Sequence, residues 1–402
     1  MSLAESYLLT QEAMTLLLDR LSDDGVLLIS RPEAQIARLV ATLSSVWTEP
    51  TALHQHIAVV TETPNLPDFI TALVVSKEPL TPRDEVILRE VTTGRIAYLP
   101  SGDGDLKELI TAATQYRDDP KKAQADLDQA ARRLPYRPAS LLPASDDRPF
   151  FNLTRPWTSI GFDEISRVLS SGKRSRARLE DLPVAQVAII LLLLEALLLG
   201  GIFLIPPWKT LSSSGVPLRT VTRVALYFAA LGFAFIVVEV SLIQRFTRLL
   251  GEPGWSLAAV LSVLLVSGGV GSLLFAGRLG LSPVNSAALG VAAALTVAFV
   301  PDWVANAAAG ASFSVRVLVV VLIVFPVGMA MGAPFSAGLS RLEDPRLVAW
   351  AWALNSLLSV GGSIAALILG SSLGFAGTAL VAGAVYALAM GCGFGSEWNR
   401  QT

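Results

Sequence analysis

Several charged and amide side chains lie inside long apolar segments of the sequence. In the stretch GFAFIVVEVSLIQRF, Gly232 to Phe246, a glutamate, a glutamine and an arginine end an otherwise apolar run. A carboxylate at membrane depth is costly unless it is paired, protonated or hydrated, so we expect such groups to face other helices. For Glu239, two roles are open: a structural polar clamp, and a site that handles protons or cations. The intramembrane polar residues are Glu239, Gln244, Arg245, Asn355 and Glu195, and Arg316 is a further candidate partner of Glu239.

The composition is that of a membrane protein with a polar first part. Hydrophobic residues make up 52% of the 402 residues, charged residues make up 16%, and the mean hydropathy is +0.55. Such values are too apolar for an ordinary soluble protein. Most of the charged residues precede Pro183, which predicts a polar domain followed by a membrane domain. The net charge of -2 gives no reason to expect a nucleic-acid partner.

The second half contains apolar runs of transmembrane length. Val184 to Ile205, at about 1.5 Å per residue, reaches roughly 33 Å and can cross the hydrocarbon core. Seven such helices are predicted in an all-α, multi-pass membrane domain at 183–395, with small residues spaced for close helix packing. Their ranges are Val184–Ile205, Val224–Ile243, Ser256–Phe275, Val284–Val300, Val315–Pro334, Val348–Leu369 and Thr378–Met390.

The first 120 residues alternate helix and strand patterns. An amphipathic helix precedes the apolar strand Val26–Ser30, which is predicted to lie in a sheet interior. A helix at Glu33–Trp47 follows, and then two β-rich segments form an antiparallel hairpin at a sheet edge. This order predicts the final third of an open α/β sheet. His54 and His56 alternate on a predicted strand, but no Cys and no acidic pair at suitable spacing completes a ligand set nearby, so no metal site is predicted.

Residues 121–182 form a predicted charged helix and a Pro-rich linker. The linker contains DDRPFF, in which Asp146 or Asp147 could pair with Arg148 while Phe150 and Phe151 supply aromatic rings just before the membrane. Such rings favour the membrane interface, and packed aromatics in an ordinary turn are the alternative. A basic run precedes the first membrane helix and indicates a cytoplasmic, anionic lipid surface. The run consists of Lys173, Arg174, Arg176 and Arg178.

The order of these motifs resembles a known family. A Tyr-Leu-x-Thr-x-Glu-Ala helix, the strand region L-S-x-D-G-V-L-x-I-S-R, the hairpin and PASDDRPFF are similar to membrane-bound spermidine synthase-like proteins, as are GFAFIVVEVSLIQRF and GAPFSAGLSRL. The resemblance implies a methyltransferase-like Rossmann domain that uses S-adenosylmethionine or its decarboxylated form. The complete domain would transfer an aminopropyl or methyl group to an amine, as in polyamine biosynthesis.

The resemblance also implies what this chain does not supply. The cofactor loop, the ribose-binding acid and the catalytic aspartate are expected upstream of Met1, so the chain is predicted to be an N-terminally truncated form, inactive alone, with no cofactor and no catalytic residue of its own. Tyr7, Thr10 and Glu12 are expected to border the substrate pocket, with helix capping as the alternative. The Gly102 and Gly104 turn is interpreted as a surface loop, and a fragment of an adenosine pocket is the alternative.

These inferences leave two functions open. The first is the membrane-anchored transferase, whose partners are the lipid bilayer, a polyamine-like small molecule, and either a missing N-terminal half or a second copy of the chain. The second is a non-enzymatic transporter or scaffold that retains a Rossmann remnant. Under both, the protein is expected in the cell membrane with its polar part in the cytoplasm.

Overall fold

A computed structural model describes residues 6–49, 52–61, 70–102, 104–134, 136–153, 155–170, 183–212, 215–299 and 301–392. The chain forms two compact units, Met1–Ala188 and Ile189–Thr402. The predicted basic run at 173–178 lies outside the described residues.

The first unit combines short helices with a small sheet. Helix α2 is buried on most of its faces, and Ile36, Leu39 and Leu43 are fully buried in the core beneath the sheet. The elements are α1 (Gln11–Asp19), β1 (Val26–Pro32), α2 (Glu33–Val46), β2 (Ile57–Thr61), β3 (Ile70–Ser76), α3 (Pro82–Val91), β4 (Arg95–Tyr98), α4 (Lys107–Thr114), α5 (Pro120–Ala130) and α6 (Phe162–Ser170).

The strands described here form one antiparallel sheet in the order β1-β3-β2-β4. The predicted hairpin is confirmed as the antiparallel pair β2 and β3, but both strands lie inside this sheet rather than at its edge. Because β1 and β2 are each antiparallel to β3, they run in the same direction, and α2 connects them. The sheet is small and antiparallel, so a partial Rossmann fold stays a prediction.

Strand β1 differs from its prediction because it is an edge strand. Leu27 and Ile29 pack against the core, whereas Val26 and Leu28 are exposed on the other face. Only β3 pairs with β1 among the described strands. An all-apolar strand pattern predicts an interior position. Here a strand with that pattern lies at the sheet edge, and the apolar side chains on one of its faces are exposed.

The second unit is helical, and the part described contains five helices long and apolar enough to span a membrane. This finding supports the predicted multi-pass helical membrane domain, although five helices are long and apolar enough where seven were predicted. The difference lies in α10, which has 17 residues, and in α13, which contains two of the predicted segments. The helices are α7 (Val184–Ser212), α8 (Leu218–Leu250), α9 (Pro253–Gly271) with a π-helical segment (Ser272–Arg278), α10 (Pro283–Phe299), α11 (Pro301–Ala308), α12 (Phe313–Leu339) and α13 (Pro345–Gly391).

Helix α13 reverses its direction at Gly374. This residue has φ 76° and ψ 171°, a conformation open almost only to glycine. Asn355 and Tyr386 line the same cavity, although a straight helix would separate them by about 46 Å. The two arms of α13 therefore contain the predicted segments Val348–Leu369 and Thr378–Met390.

Small residues allow α9 and α12 to pack closely, as their spacing predicted. A Cβ on Gly332 would collide with the Gly268 carbonyl, and a Cβ on Gly271 would collide with the Met329 carbonyl. Larger side chains would separate the two backbones, so these glycines have a packing role.

Candidate functional site

The first candidate site lies where the N-terminal residues meet the DDRPFF segment. Thr10 Oγ1 donates a hydrogen bond to Asp146 Oδ1 (2.8 Å), and the Asp146 amide donates to Glu12 Oε2 (2.9 Å). Thr10 also accepts from the Ala13 amide, which makes it the N-cap of α1. The structure thus joins two predicted groups of residues that are 136 positions apart.

Backbone hydrogen bonds hold the same two segments together. The Ser6 amide donates to the Pro149 carbonyl (2.7 Å), and the Gln11 amide donates to the Ala144 carbonyl (2.9 Å). Tyr7 lies between them in a short 3-10 helix, Tyr7–Leu9. The segment around Asp146 is therefore anchored to the start of α1 along its length.

Arg148 closes the turn of the DDRPFF segment. Its amide donates to the Ser145 carbonyl (2.8 Å), and its guanidinium donates to the Pro143 carbonyl (3.0 Å). Burial is the main cause that lowers the pKa of Arg148, while the nearby Asp147 opposes that shift. These hydrogen bonds fix the shape of the turn. A ligand that bound here would therefore meet a preformed surface.

Phe150 and Phe151 occupy a different place from the predicted one. Both rings are buried in the first unit and do not reach a membrane interface, so the packed-aromatic alternative describes them correctly. They end a segment whose hydrogen bonds hold it against the core of the first unit. Burial of the apolar rings in that core stabilises the fold.

Arg38 is a central residue that the sequence reading missed. It is buried in α2 and donates to three main-chain carbonyls, those of Leu142 (2.8 Å), Phe151 (2.7 Å) and Leu153 (2.5 Å). Its guanidinium also lies 5.2 Å from the centre of the Phe151 ring. Burial lowers the pKa of Arg38 to about 9, which leaves it charged at neutral pH. The sequence feature that could have identified Arg38 is that it is a single arginine within the apolar pattern of the helix.

A second buried cluster, also missed, precedes the first membrane helix. Glu164 in α6 is buried, and its Oε1 accepts hydrogen bonds from Arg155 (2.6 Å) and Arg167 (2.9 Å). Gln186, at the start of α7, donates to the Arg155 carbonyl (2.9 Å). The ion pairs of Glu164 hold Arg155 in place, and the bond from Gln186 attaches the start of α7 to Arg155. This cluster therefore has a structural role.

The second candidate site is a cavity of about 220 Å³ inside the helical unit. Aromatic rings supply much of its wall, and the Phe335 and Trp352 rings meet edge to face with centres 4.6 Å apart. Ser359 Oγ donates to the Asn355 carbonyl (2.8 Å), so two polar residues share one part of the wall. The lining residues come from α8 (Leu231, Gly232, Phe235), α12 (Met331, Gly332, Pro334, Phe335) and α13 (Trp352, Asn355, Ser359, Tyr386).

Glu239 lies one helical turn beyond Phe235 on α8, about 6 Å further along the helix axis. It is half-buried, and no residue of the described chain forms a hydrogen bond or an ion pair with it. Of the predicted partners, Arg316 donates to the Leu249 carbonyl (2.8 Å), and Asn355 lines the cavity without a hydrogen bond to Glu239. A purely structural clamp would need a partner, so the geometry favours a role for Glu239 beside the cavity.

The other intramembrane polar residues are divided between two settings. Arg245 is buried and donates to the Val297 carbonyl, which ties α8 to α10, while Gln244 beside it is half-buried. Glu195 is exposed on α7. Arg245 therefore acts as a structural clamp between α8 and α10.

Two amides near the Gly102 turn are not free to bind an adenosyl group. The Gly102 amide donates to the Leu99 carbonyl, and the Leu106 amide donates to the Ala97 carbonyl, so two amides that could bind a phosphate or hydroxyl are already used. A Cβ on Gly104 would strike Ala97 because the loop folds back on its own strand. The turn lies at the surface beside a polar cavity of about 490 Å³, and the expected lack of a cofactor site in this chain stays a prediction.

The two histidines differ from their predicted arrangement. His54 lies in a short 3-10 helix, Leu53–Gln55, and is exposed, whereas His56 follows that helix and is buried. Among the described residues, no group of three or more His, Cys, Asp or Glu side chains is placed to hold a metal ion.

Comparison with known proteins gives no relative. The chain matches no known protein family, no curated protein and no solved structure. The interpretation of both sites therefore depends on their own geometry.

Proposed function

We propose that this chain is the membrane-anchored portion of a spermidine synthase-like transferase. The observation that supports this proposal is the pair of hydrogen bonds that joins Thr10 and Glu12 to Asp146, because both segments belong to the motifs that resemble that family. The connection of β1 through α2 to β2, with β3 inserted between them, is compatible with the closing end of an open α/β sheet. The complete domain would transfer an aminopropyl or methyl group to an amine.

In this proposal the adenosyl group binds to a polypeptide that adds strands at β1. Two amides near the glycine turn are engaged within the loop, and no step of the reaction is assigned to this chain. The exposed Val26 and Leu28 support the proposal, because an apolar edge strand with free backbone groups accepts a further strand readily. This chain would contribute the Thr10, Glu12 and Asp146 surface and the membrane anchor.

The test is a calorimetric titration with decarboxylated S-adenosylmethionine of the protein purified from its native membrane with its bound polypeptides. Saturable binding is expected, and Leu28→Lys should weaken it because a charge on the open edge opposes strand addition. Leu16→Lys is the matched control, since Leu16 is exposed on α1 rather than on the sheet. Absence of saturable binding to the unaltered protein would exclude the transferase.

The cavity of the helical unit supports a second candidate function, the binding of a small organic cation. Phe235, Phe335 and Trp352 offer ring faces and edges, and the faces attract cations. Glu239 supplies a carboxylate one turn away that has no partner among the described residues. A polyamine-like cation combines an apolar stem with a charge and suits such a site, which would serve transport or sensing rather than transfer.

Equilibrium dialysis of radiolabelled spermidine against the purified protein tests this candidate. Trp352→Leu and Glu239→Gln should each weaken binding about tenfold, which corresponds to about 1.4 kcal/mol. Trp255→Leu is the control, because Trp255 is exposed and lines a different part of the unit. Equal binding by all three variants would show that spermidine does not bind in this cavity.

A further inference from the structure

Helix α7 is the least covered of the membrane helices described. None of the residues in its most apolar 18-residue window is buried, whereas half of the corresponding window of α8 is buried. One face of α7 does pack within the helical unit, because Gly200 lies against Leu357 and the Trp208 ring contacts the Trp350 ring (5.8 Å). The opposite face is bare along the length of the helix.

Glu195 lies on that bare face near the middle of α7. It is the twelfth residue of the helix, so it lies about 16 Å from the helix start, close to the depth of the bilayer centre. It is exposed, and no described residue forms a hydrogen bond or ion pair with it. A carboxyl group in lipid at this depth is costly, so the position favours a polar neighbour in the membrane.

The residues around Glu195 form a stripe with the spacing of a helix–helix seam. The intervals alternate between four and three residues, which is the a/d spacing of paired helices. Every member of the stripe is exposed, and the stripe points away from Gly200. We call it the α7 stripe, and its members are Leu191, Glu195, Leu198, Ile202 and Ile205.

We propose that the α7 stripe pairs with the same stripe of a second copy of this chain. A two-fold axis parallel to the helices places Glu195 of one copy beside Glu195 of the other. Two carboxyl groups that meet can share one proton in a hydrogen bond, so each side chain gives the other a polar neighbour. Glu195 is the only polar residue between Ile189 and Trp208, so a partner helix needs one polar group at one height, which a second copy supplies by symmetry.

Disulfide cross-linking in native membranes tests the geometry. The single cysteine is first removed as Cys392→Ser, and Leu198→Cys is then introduced in the stripe. Phe203→Cys is the matched control, because Phe203 is more exposed than Leu198 yet lies outside the stripe. A disulfide-linked dimer is expected for Leu198→Cys at several times the yield for Phe203→Cys. Equal yields, or a product that contains another polypeptide, would overturn the proposal.

Sedimentation equilibrium in detergent tests the role of the carboxyl. Glu195→Ala should weaken dimerisation about tenfold, whereas Glu195→Gln should stay close to the unaltered protein because an amide pair also hydrogen-bonds across helices. Leu192→Ala, on an exposed position beside the stripe, serves as control. An unchanged dimer in Glu195→Ala, or an equal loss in Glu195→Gln, would show that Glu195 does not join two copies.

Discussion

At the scale of single residues, the buried Arg38 donates hydrogen bonds to three main-chain carbonyls of the first unit. Replacement by methionine keeps a comparable length but leaves the Leu142, Phe151 and Leu153 carbonyls without their donor. Each unsatisfied buried group costs about 1–3 kcal/mol, so Arg38→Met should lower the free energy of unfolding of this unit by about 3 kcal/mol or more. By calorimetry, the unit should unfold roughly 6–12 °C lower.

The matched control for Arg38→Met is Arg83→Met. Arg83 is exposed at the start of α3, so its loss should change the unfolding temperature little. If both variants unfolded at the same temperature, the hydrogen bonds of Arg38 would have to be regarded as replaceable by water, and its anchoring role would be refuted.

His56 makes a pH-dependent contribution that can be assigned to one residue. Its ring is buried against Trp47, and burial is the main cause that lowers its pKa from 6.5. A histidine whose pKa is lower in the folded state binds fewer protons there than in the unfolded chain. The contribution of His56 is therefore fully present above about pH 6.5 and decreases as the pH falls toward the folded-state pKa.

The measurement is the free energy of unfolding of the first unit between pH 5 and pH 8. His56→Gln should flatten the dependence, whereas His54→Gln should leave it unchanged, because His54 is exposed. The chain has only these two histidines, so the pair of variants covers every imidazole. A slope that survived in His56→Gln would assign the effect to other groups.

At the scale of elements, the sequence predicted the membrane helices better than the sheet. A run of about twenty apolar residues has few alternatives to a helix in lipid, and the predicted segments coincide with observed helices, apart from Val300, which lies outside the described residues. The strands were harder to place, because the pattern of β1 is the same for an interior strand and for an edge strand with a bare apolar face. Pairing order depends on contacts that no local pattern contains.

The reversal of α13 gives an element-scale prediction. Gly374→Ala forces a Cβ into a backbone conformation reserved for glycine, at a cost of about 1–3 kcal/mol, and should loosen the arm that carries Tyr386. Gly361→Ala is the control in the same helix, because its added Cβ meets no atom within 4 Å and alanine favours helix. Thermal unfolding in detergent should show a lower midpoint for Gly374→Ala alone. Equal midpoints would mean that the two arms separate elsewhere.

At the scale of the whole molecule, the candidate sites were predicted in pieces. Thr10, Glu12 and Asp146 were each identified from their motifs, but their contact spans 136 positions and depends on how α1 and the Pro-rich segment fold together. The cavity was not predicted at all, since its wall combines three helices. Glu239 and Asn355 were identified because a polar residue in an apolar run needs no structure to be noticed.

The membrane arrangement leads to a final prediction about sidedness. The helix α9 with its π-helical segment has 26 residues, about 39 Å, which suffices to cross the hydrocarbon core. In the Cys392→Ser background, Glu252→Cys and Leu279→Cys place thiols at exposed positions on either side of this crossing. A membrane-impermeant maleimide added to intact cells should label one and not the other. Arg83→Cys, in the first unit, should be labelled only after lysis, because the basic residues before α7 favour the cytoplasm. If Glu252→Cys and Leu279→Cys were labelled from the same side, α9 would not cross the membrane, and the cavity that α8, α12 and α13 enclose would have to be placed in a different environment.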